Sequence, residues 1–117
     1  MDMDMKFYTD ETILITGGAG AIGSNLSRKL AESGAAKVII LDDLSASYKW
    51  NIPNLPNILF VKGSITNDFD LKRVFHEKPT YIFHLAALRI KTLKIILKKI
   101  WWSASFALPK FLNIVFC

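Results

Sequence analysis

The sequence predicts an α/β fold, with about four strands in a partial doubly wound parallel sheet of order 3-2-1-4. Four short apolar runs rich in β-branched and aromatic residues predict buried strands, and two helical patterns lie between them. A glycine-rich turn follows the first run. Because strands that alternate with helices are joined by right-handed crossovers, we expect the strands to be parallel.

The strands are expected at 12–16, 37–41, 58–61 and 81–85. The segment between the second and third strands, 44–57, is polar and aromatic and contains two prolines, so it predicts a loop with a short helical turn. No internal repeat or low-complexity segment is present. The chain therefore predicts one domain, which alternates between strands and helices.

Each predicted helix has a start or stop signal. The first follows the glycines and ends at Gly34, a residue typical of the C′ position, and its apolar face is expected to contain Ile22, Leu26 and Leu30. The second begins at Thr66 or Asn67, either of which can cap it, and ends before Pro79. Its apolar residues are Leu71, Val74 and Phe75.

Charged residues are distributed unevenly. Residues 1–88 hold nine lysines and arginines and all ten acidic residues, for a net charge of −1, whereas residues 89–117 hold six cations and no acid, for +6. The total of +5 therefore reflects the last segment, and we expect no nucleic-acid partner. Cys117 is the single cysteine, so no disulfide forms within the chain, which indicates a cytoplasmic protein.

The turn after the first strand has the spacing G-x-x-G-x-x-G at Gly17, Gly20 and Gly23. The first glycine allows a tight turn, the second lets a pyrophosphate approach the backbone, and the third lets the helix pack closely on the sheet. The helix N-terminus then offers N–H groups to the phosphates. A strand before the motif and a helix after it predict dinucleotide binding; the alternative is a turn that only reverses the chain.

Asp42 follows the second strand, 19 residues beyond Gly23. A carboxylate at this spacing accepts hydrogen bonds from the adenosine ribose and repels a 2′-phosphate, which favours NAD over NADP. The neighbouring Asp43 has two interpretations, since it can contact the ribose or cap the loop that follows.

These motifs resemble those of the extended short-chain dehydrogenases/reductases, in particular the NAD-dependent sugar-nucleotide epimerase/dehydratase group. The run Thr-Gly-Gly-Ala-Gly-Ala-Ile-Gly-Ser at 16–24 resembles the family's Rossmann-type fingerprint. Three further runs resemble family motifs in the family's order: Leu-Asp-Asp-Leu-Ser at 41–45, Val-Lys-Gly-Ser-Ile at 61–65 and His-Leu-Ala-Ala at 84–87.

The resemblance implies a place for each part of NAD. The pyrophosphate would lie on the glycine turn, the adenosine ribose beside Asp42, the adenine on Ile65, and the nicotinamide side along 85–87. Ser64 stands where the family usually has aspartate, and its hydroxyl can still accept a hydrogen bond from the adenine. The expected cofactor-binding residues are Gly17, Gly20, Ala21, Ile22, Gly23, Asp42, Asp43, Ser64, Ile65, Leu85, Ala86 and Ala87.

Family members carry out their chemistry with a Tyr-x-x-x-Lys pair, in which tyrosine transfers a proton and lysine lowers its pKa. No tyrosine in this chain has a lysine four residues later. We therefore expect the NAD-binding portion of a nucleotide-sugar epimerase or dehydratase, inactive alone, in which NAD takes a hydride from the sugar ring. The histidines and Cys117 predict no metal site, and His84 is expected to be a buried structural residue.

Residues 89–117 form a basic, apolar tail with two interpretations. In one, it is an amphipathic helix of a non-catalytic NAD-binding module that contacts a membrane or a partner protein, with an apolar face of Ile90, Leu93, Leu97, Ile100 and Trp101. In the other, it is translated out of frame and is not native to the fold. The simultaneous loss of family motifs and acidic residues favours the second interpretation and a boundary after residue 88.

Overall fold

The computed structural model describes residues 8–45, 47–85 and 113–116. The regular elements are β1 (Thr12–Thr16), α1 (Ala21–Glu32), β2 (Lys37–Asp42), β3 (Ile58–Lys62), α2 (Asp68–Phe75), β4 (Tyr81–His84) and β5 (Asn113–Phe116). A 3-10 turn at Lys49–Asn51 lies in the connection from β2 to β3, as the composition of this loop predicts. Each predicted strand is present, with ends that differ by one residue at most.

All strand pairs are parallel, and the sheet has the order β3-β2-β1-β4-β5. The predicted order 3-2-1-4 is confirmed, and β5 adds a fifth strand beside β4. β5 comes from the basic tail, whose expected helical face falls outside the described residues. Within the described ranges, no helix has the length and apolar character needed to cross a membrane.

The core has two layers, one on each face of the sheet. Because strand side chains alternate between faces, Leu14 packs on the side of α2, whereas Ile13 and Ile15 pack on the side of α1. The layer on the α2 side consists of Leu14, Ile39, Leu41, Val61, Ile65, Leu71, Val74, Phe75 and Ile82. The layer on the α1 side consists of Ile13, Ile15, Leu26, Leu30, Ala31, Ala35, Val38 and Phe83.

The helix ends follow from capping residues. Gly34 lies just after α1 with a φ of +97°, a left-handed conformation that confirms its predicted place at C′. Asn67, not Thr66, caps α2, since its side-chain oxygen accepts the N–H groups of Phe69 and Asp70 at 2.9 and 3.2 Å.

The prediction that Ile22 belongs to the buried face of α1 is wrong. Its side chain is 58% exposed, whereas Gly23, Leu26 and Leu30 are buried. The buried face of α1 is centred near Gly23, and at 100° per residue Ile22 lies about a quarter-turn to one side of it. Because Gly23 is the residue of α1 that packs closely against the glycine turn, Ile22 points away from the sheet.

Candidate functional site

The carboxyl ends of the parallel strands form one edge of the sheet. The chain leaves β1 towards β2 and later returns to place β4 on the other side of β1, so the strand order reverses between β1 and β4. Ligands of open α/β sheets bind outside such a switch point. The glycine turn, the end of β2 and Leu85 after β4 all lie at this edge.

The glycine turn is shaped by Gly17. Its φ of +74° is in the left-handed region, and its N–H donates to the carbonyl oxygen of Leu41 at 2.9 Å. The N–H of Gly20 then donates to the carbonyl oxygen of Gly17 at 3.2 Å, which closes the turn, and the N–H of Ser24 donates to Gly20 in the first turn of α1. The turn therefore directs the chain from β1 straight into a helix N-terminus.

Gly20 and Gly23 lack a side chain for different reasons. A Cβ placed at Gly23 would lie 2.5 Å from the carbonyl oxygen of Gly17 and 2.7 Å from the Cα of Gly18, so only glycine allows α1 to approach the turn. A Cβ at Gly20 would meet nothing closer than the carbonyl oxygen of Gly17 at 3.4 Å. The protein itself thus has space for a methyl group at Gly20. A glycine in such an open position is expected where a ligand must contact the backbone directly.

Asp42 is held at the end of β2 by two backbone hydrogen bonds. Its Oδ2 accepts the N–H of Ala19 at 3.0 Å, and its Oδ1 accepts the N–H of Leu44 at 2.8 Å. The residue is only 8% exposed. The carboxylate therefore joins the glycine turn to the loop after β2, a role that the motif spacing alone did not reveal.

A second connection to the glycine turn comes from the loop after β2. The side-chain amide of Asn51 donates to the carbonyl oxygen of Ala19 at 3.2 Å, and the hydroxyl of Ser47 lies 3.8 Å from the position of a Cβ at Gly20. Between these two residues, the rings of Tyr48 and Trp50 stack with centroids 4.3 Å apart. The sequence predicted only a polar and aromatic loop here, because a contact over about 30 residues leaves no local pattern.

Asp43 caps its own loop, as one of its two interpretations predicts, and its contact with the ribose stays a prediction. Its Oδ1 accepts the N–H of Ser45 at 2.9 Å, and this hydrogen bond lowers the pKa of the exposed Asp43 carboxyl. Asp42 and Asp43 thus place two carboxyl groups at the carboxyl edge of β2, one buried and one exposed to solvent.

The loop after β3 is held by hydrogen bonds of its own. The hydroxyl of Ser64 accepts the N–H of Thr66 at 3.1 Å and lies 2.7 Å from the hydroxyl of Thr66. The N–H of Ser64 donates to Asp70 at 3.0 Å, so α2 positions this loop. Ile65 is only 7% exposed and belongs to the core, which leaves little of its side chain for an adenine to contact.

The remaining expected site residues are placed as follows. Ala21 and Ile22 are exposed in the first turn of α1. Leu85 follows β4, and its N–H donates to the carbonyl oxygen of Thr16 at 3.0 Å. Ala86 and Ala87 lie outside the described residues. In the part of the chain that the structure describes, no three His, Cys, Asp or Glu residues form a group that could hold a metal ion.

His84 is buried at the carboxyl end of β4, as the sequence predicts. Its Nδ1 is 2.7 Å from the hydroxyl of Thr16 on β1. Burial lowers the pKa of His84, which favours the neutral ring. The hydrogen bond crosses the switch point and fixes the separation of β1 and β4 at this edge.

Comparison with known proteins agrees with this geometry. The model of the NAD dependent epimerase/dehydratase family matches residues 13–98. The chain belongs to this family. The match continues past residue 88, where the sequence predicts a boundary, and includes the four strands that form the site edge.

Two curated relatives show what share of a family member's length this chain covers. A dTDP-D-glucose 4,6-dehydratase from Dictyostelium discoideum is 42% identical over 85 residues, which are 66% of this chain and 19% of the dehydratase. A UDP-glucose 4-epimerase from Streptococcus mutans is 32% identical over 77 residues, which are 64% of this chain and 22% of the epimerase. The chain thus spans about a fifth of the length of these two relatives.

Solved structures resemble the fold closely. Epimerase Mth375 from Methanothermobacter thermautotrophicus is similar with a TM-score of 0.82 and 42% identity, over 96% of this chain and 36% of that one. The Bordetella bronchiseptica enzyme WbmF, solved in complex with NAD+, is similar with a TM-score of 0.78 and 26% identity, over 95% of this chain and 37% of that one.

Proposed function

We propose that this chain binds NAD at the carboxyl edge of β1, β2, β3 and β4. The observation that carries the proposal is Gly20: the protein leaves space at this glycine, while Gly17 and Gly23 on either side of it are required by φ and by packing. The N-terminus of α1 follows at once and carries no acidic residue in its first turn. These features suit a pyrophosphate, which is attracted by the free N–H groups and the positive end of the helix dipole.

The cofactor class follows from the end of β2. Asp42 and Asp43 place two carboxyl groups where the resemblance puts the adenosine ribose, and the pKa of Asp43 is lowered, so it is ionised at neutral pH. A 2′-phosphate would be repelled there, whereas ribose hydroxyls can donate hydrogen bonds. We therefore propose NAD, not NADP, as the cofactor. The proposed contacts are Gly17, Gly20, Ala21, Ile22, Gly23, Asp42, Asp43, Ser64, Ile65, Leu85, Ala86 and Ala87.

Titration calorimetry of the full chain with NAD and NADP tests the proposal. We expect NAD to bind more tightly than NADP, and Gly20→Ala to weaken NAD while leaving the free energy of unfolding within about 0.5 kcal/mol of its original value. Ser33→Ala, an exposed change at the other end of α1, is the control and should alter neither property. A Gly20→Ala chain that binds NAD as well as the original would contradict the proposed position of the pyrophosphate.

For the complete enzyme we propose hydride transfer on the sugar ring of a nucleotide sugar. This rests on relatives named as a dTDP-D-glucose 4,6-dehydratase and a UDP-glucose 4-epimerase. In this chain the described residues bind and orient the cofactor, and bound NAD supplies the hydride acceptor. The full chain incubated with NAD and either dTDP-glucose or UDP-glucose should therefore form no new sugar product detectable by NMR. Product formation would contradict the assignment of this chain to cofactor binding alone.

A further inference from the structure

The segment 47–51 lies near the glycine turn at both of its ends. Ser47 lies at Gly20, and Asn51 is hydrogen-bonded to Ala19. Consecutive Cα atoms are about 3.8 Å apart, so Lys49, two residues from each end, is confined to the neighbourhood of the turn. Tyr48 and Trp50, the neighbours of Lys49 in the chain, stack their rings on each other at the start of the short 3-10 helix.

The negative charges at the carboxyl edge of the sheet indicate that a nearby cation such as Lys49 would assist the binding of a pyrophosphate. Asp42 and Asp43 lie at the end of β2, and the pKa of Asp43 is lowered, so this part of the edge is anionic at neutral pH. A pyrophosphate placed on the glycine turn carries negative charge of its own. Among the described residues, the cations of α1, Arg28 and Lys29, lie in the second half of the helix, away from its N-terminus. Lys49, by contrast, is exposed and lies two residues before Asn51, whose side chain is hydrogen-bonded to the turn.

We propose that Lys49 is a phosphate-binding residue for the diphosphate of the dinucleotide, placed near the glycine turn by the hydrogen bond from Asn51 to Ala19. The proposal rests on the proposed binding of NAD. A lysine suits this position because its ammonium group is a compact charge on a flexible four-carbon stem, which can approach a phosphate oxygen without a fixed geometry. The backbone N–H groups then orient the pyrophosphate, and Lys49 offsets the repulsion from the two carboxylates.

Binding of NAD and of adenosine, which has no phosphate, separates this role from a general effect on the loop. The full chain is compared with Lys49→Gln, Lys49→Arg and Lys29→Gln, the last of which removes one exposed charge from the far end of α1. We expect Lys49→Gln to lower the affinity for NAD about two- to five-fold at low salt, as for the loss of an exposed ion pair. Lys49→Arg should restore most of the affinity, and Lys29→Gln should match the original chain.

Salt and adenosine give the decisive comparisons. In about 1 M salt the difference between Lys49→Gln and the original chain should disappear, because the charges are screened. Adenosine, followed by NMR, should bind equally to both. Equal NAD affinities at low salt, or an equal loss for adenosine, would overturn the role of Lys49 while leaving NAD binding intact. An original chain that binds no NAD would instead overturn the proposed function, and the role of Lys49 with it.

Discussion

The carboxylate of Asp42 and the backbone N–H of Ala19 form a 3.0 Å hydrogen bond that joins the end of β2 to the glycine turn after β1. The other carboxylate oxygen holds the N–H of Leu44, a residue with a left-handed φ of +63°. The side chain of Asp42 therefore positions the backbone of both the glycine turn and Leu44 at the carboxyl edge of the sheet. The shape of the turn depends on Asp42 as well as on its glycines.

Asp42→Asn should destabilise the fold itself. An amide keeps one acceptor oxygen but turns an NH2 group towards the second backbone N–H, so one buried donor loses its partner. We expect a loss of about 1–3 kcal/mol in the free energy of unfolding, measured by urea denaturation. Asp43→Asn, at the exposed neighbour, is the control and should cost less than about 0.5 kcal/mol. Equal losses for the two variants would contradict the structural role of Asp42.

Gly23→Ala should differ sharply from Gly20→Ala. The added methyl group would lie 2.5 Å from the carbonyl oxygen of Gly17, which is backbone and cannot rotate away, so α1 must move from the sheet. We expect a loss of about 1–3 kcal/mol in the free energy of unfolding, together with weaker NAD binding. Gly20→Ala should affect NAD binding alone. A Gly23→Ala chain as stable as the original would show that the helix does not need this close approach.

The strands and their order could be predicted because they depend on local patterns. The runs that became β1 and β2 are almost wholly apolar, and the helical pattern between them indicates a crossover that keeps the strands parallel. The cap of α2 was predictable only as a choice between Thr66 and Asn67, since either side chain can accept the same N–H groups. Ile22 was misassigned because a quarter-turn of a helix separates the buried from the exposed face.

The contacts that complete the site were not predictable for a different reason. The hydrogen bonds from Asn51 to Ala19 and from Ala19 to Asp42 join residues 32 and 23 positions apart, and no periodicity records them. Asp70 in the first turn of α2 similarly accepts the N–H of Ser64 in the loop after β3, six positions earlier in the chain. Motif spacing identified the residues at this edge, and the structure shows which of them are hydrogen-bonded to one another.

Asn57 links the start of β3 to the end of α1, and Asn57→Ala tests this link. Its side-chain amide donates to the carbonyl oxygens of Ala31, in the last turn of α1, and of Ala35, in the loop that follows, both at 2.9 Å. Removing both hydrogen bonds should lower the free energy of unfolding by about 1–3 kcal/mol in urea denaturation. Asn54→Ala, an exposed change in the same loop, should have little effect and is the matched control.

The stability of the protein should fall as the pH decreases below about 6.5, because of His84. Its pKa in the folded chain is lowered by burial from the ordinary value of 6.5, so the unfolded chain binds the proton more readily. The contribution of the neutral ring is fully present above the unfolded pKa and is lost progressively as the pH falls below it.

Urea denaturation at several pH values between about 5 and 8, with His84→Gln and His76→Gln as paired variants, measures this effect. Gln at 84 removes the titrating group, so the decrease in stability between pH 6.5 and 5 should become smaller than in the original chain. His76 is exposed at the end of α2, and its replacement is the matched histidine control. If the original chain and His84→Gln lost stability in parallel, the acid sensitivity would not come from His84.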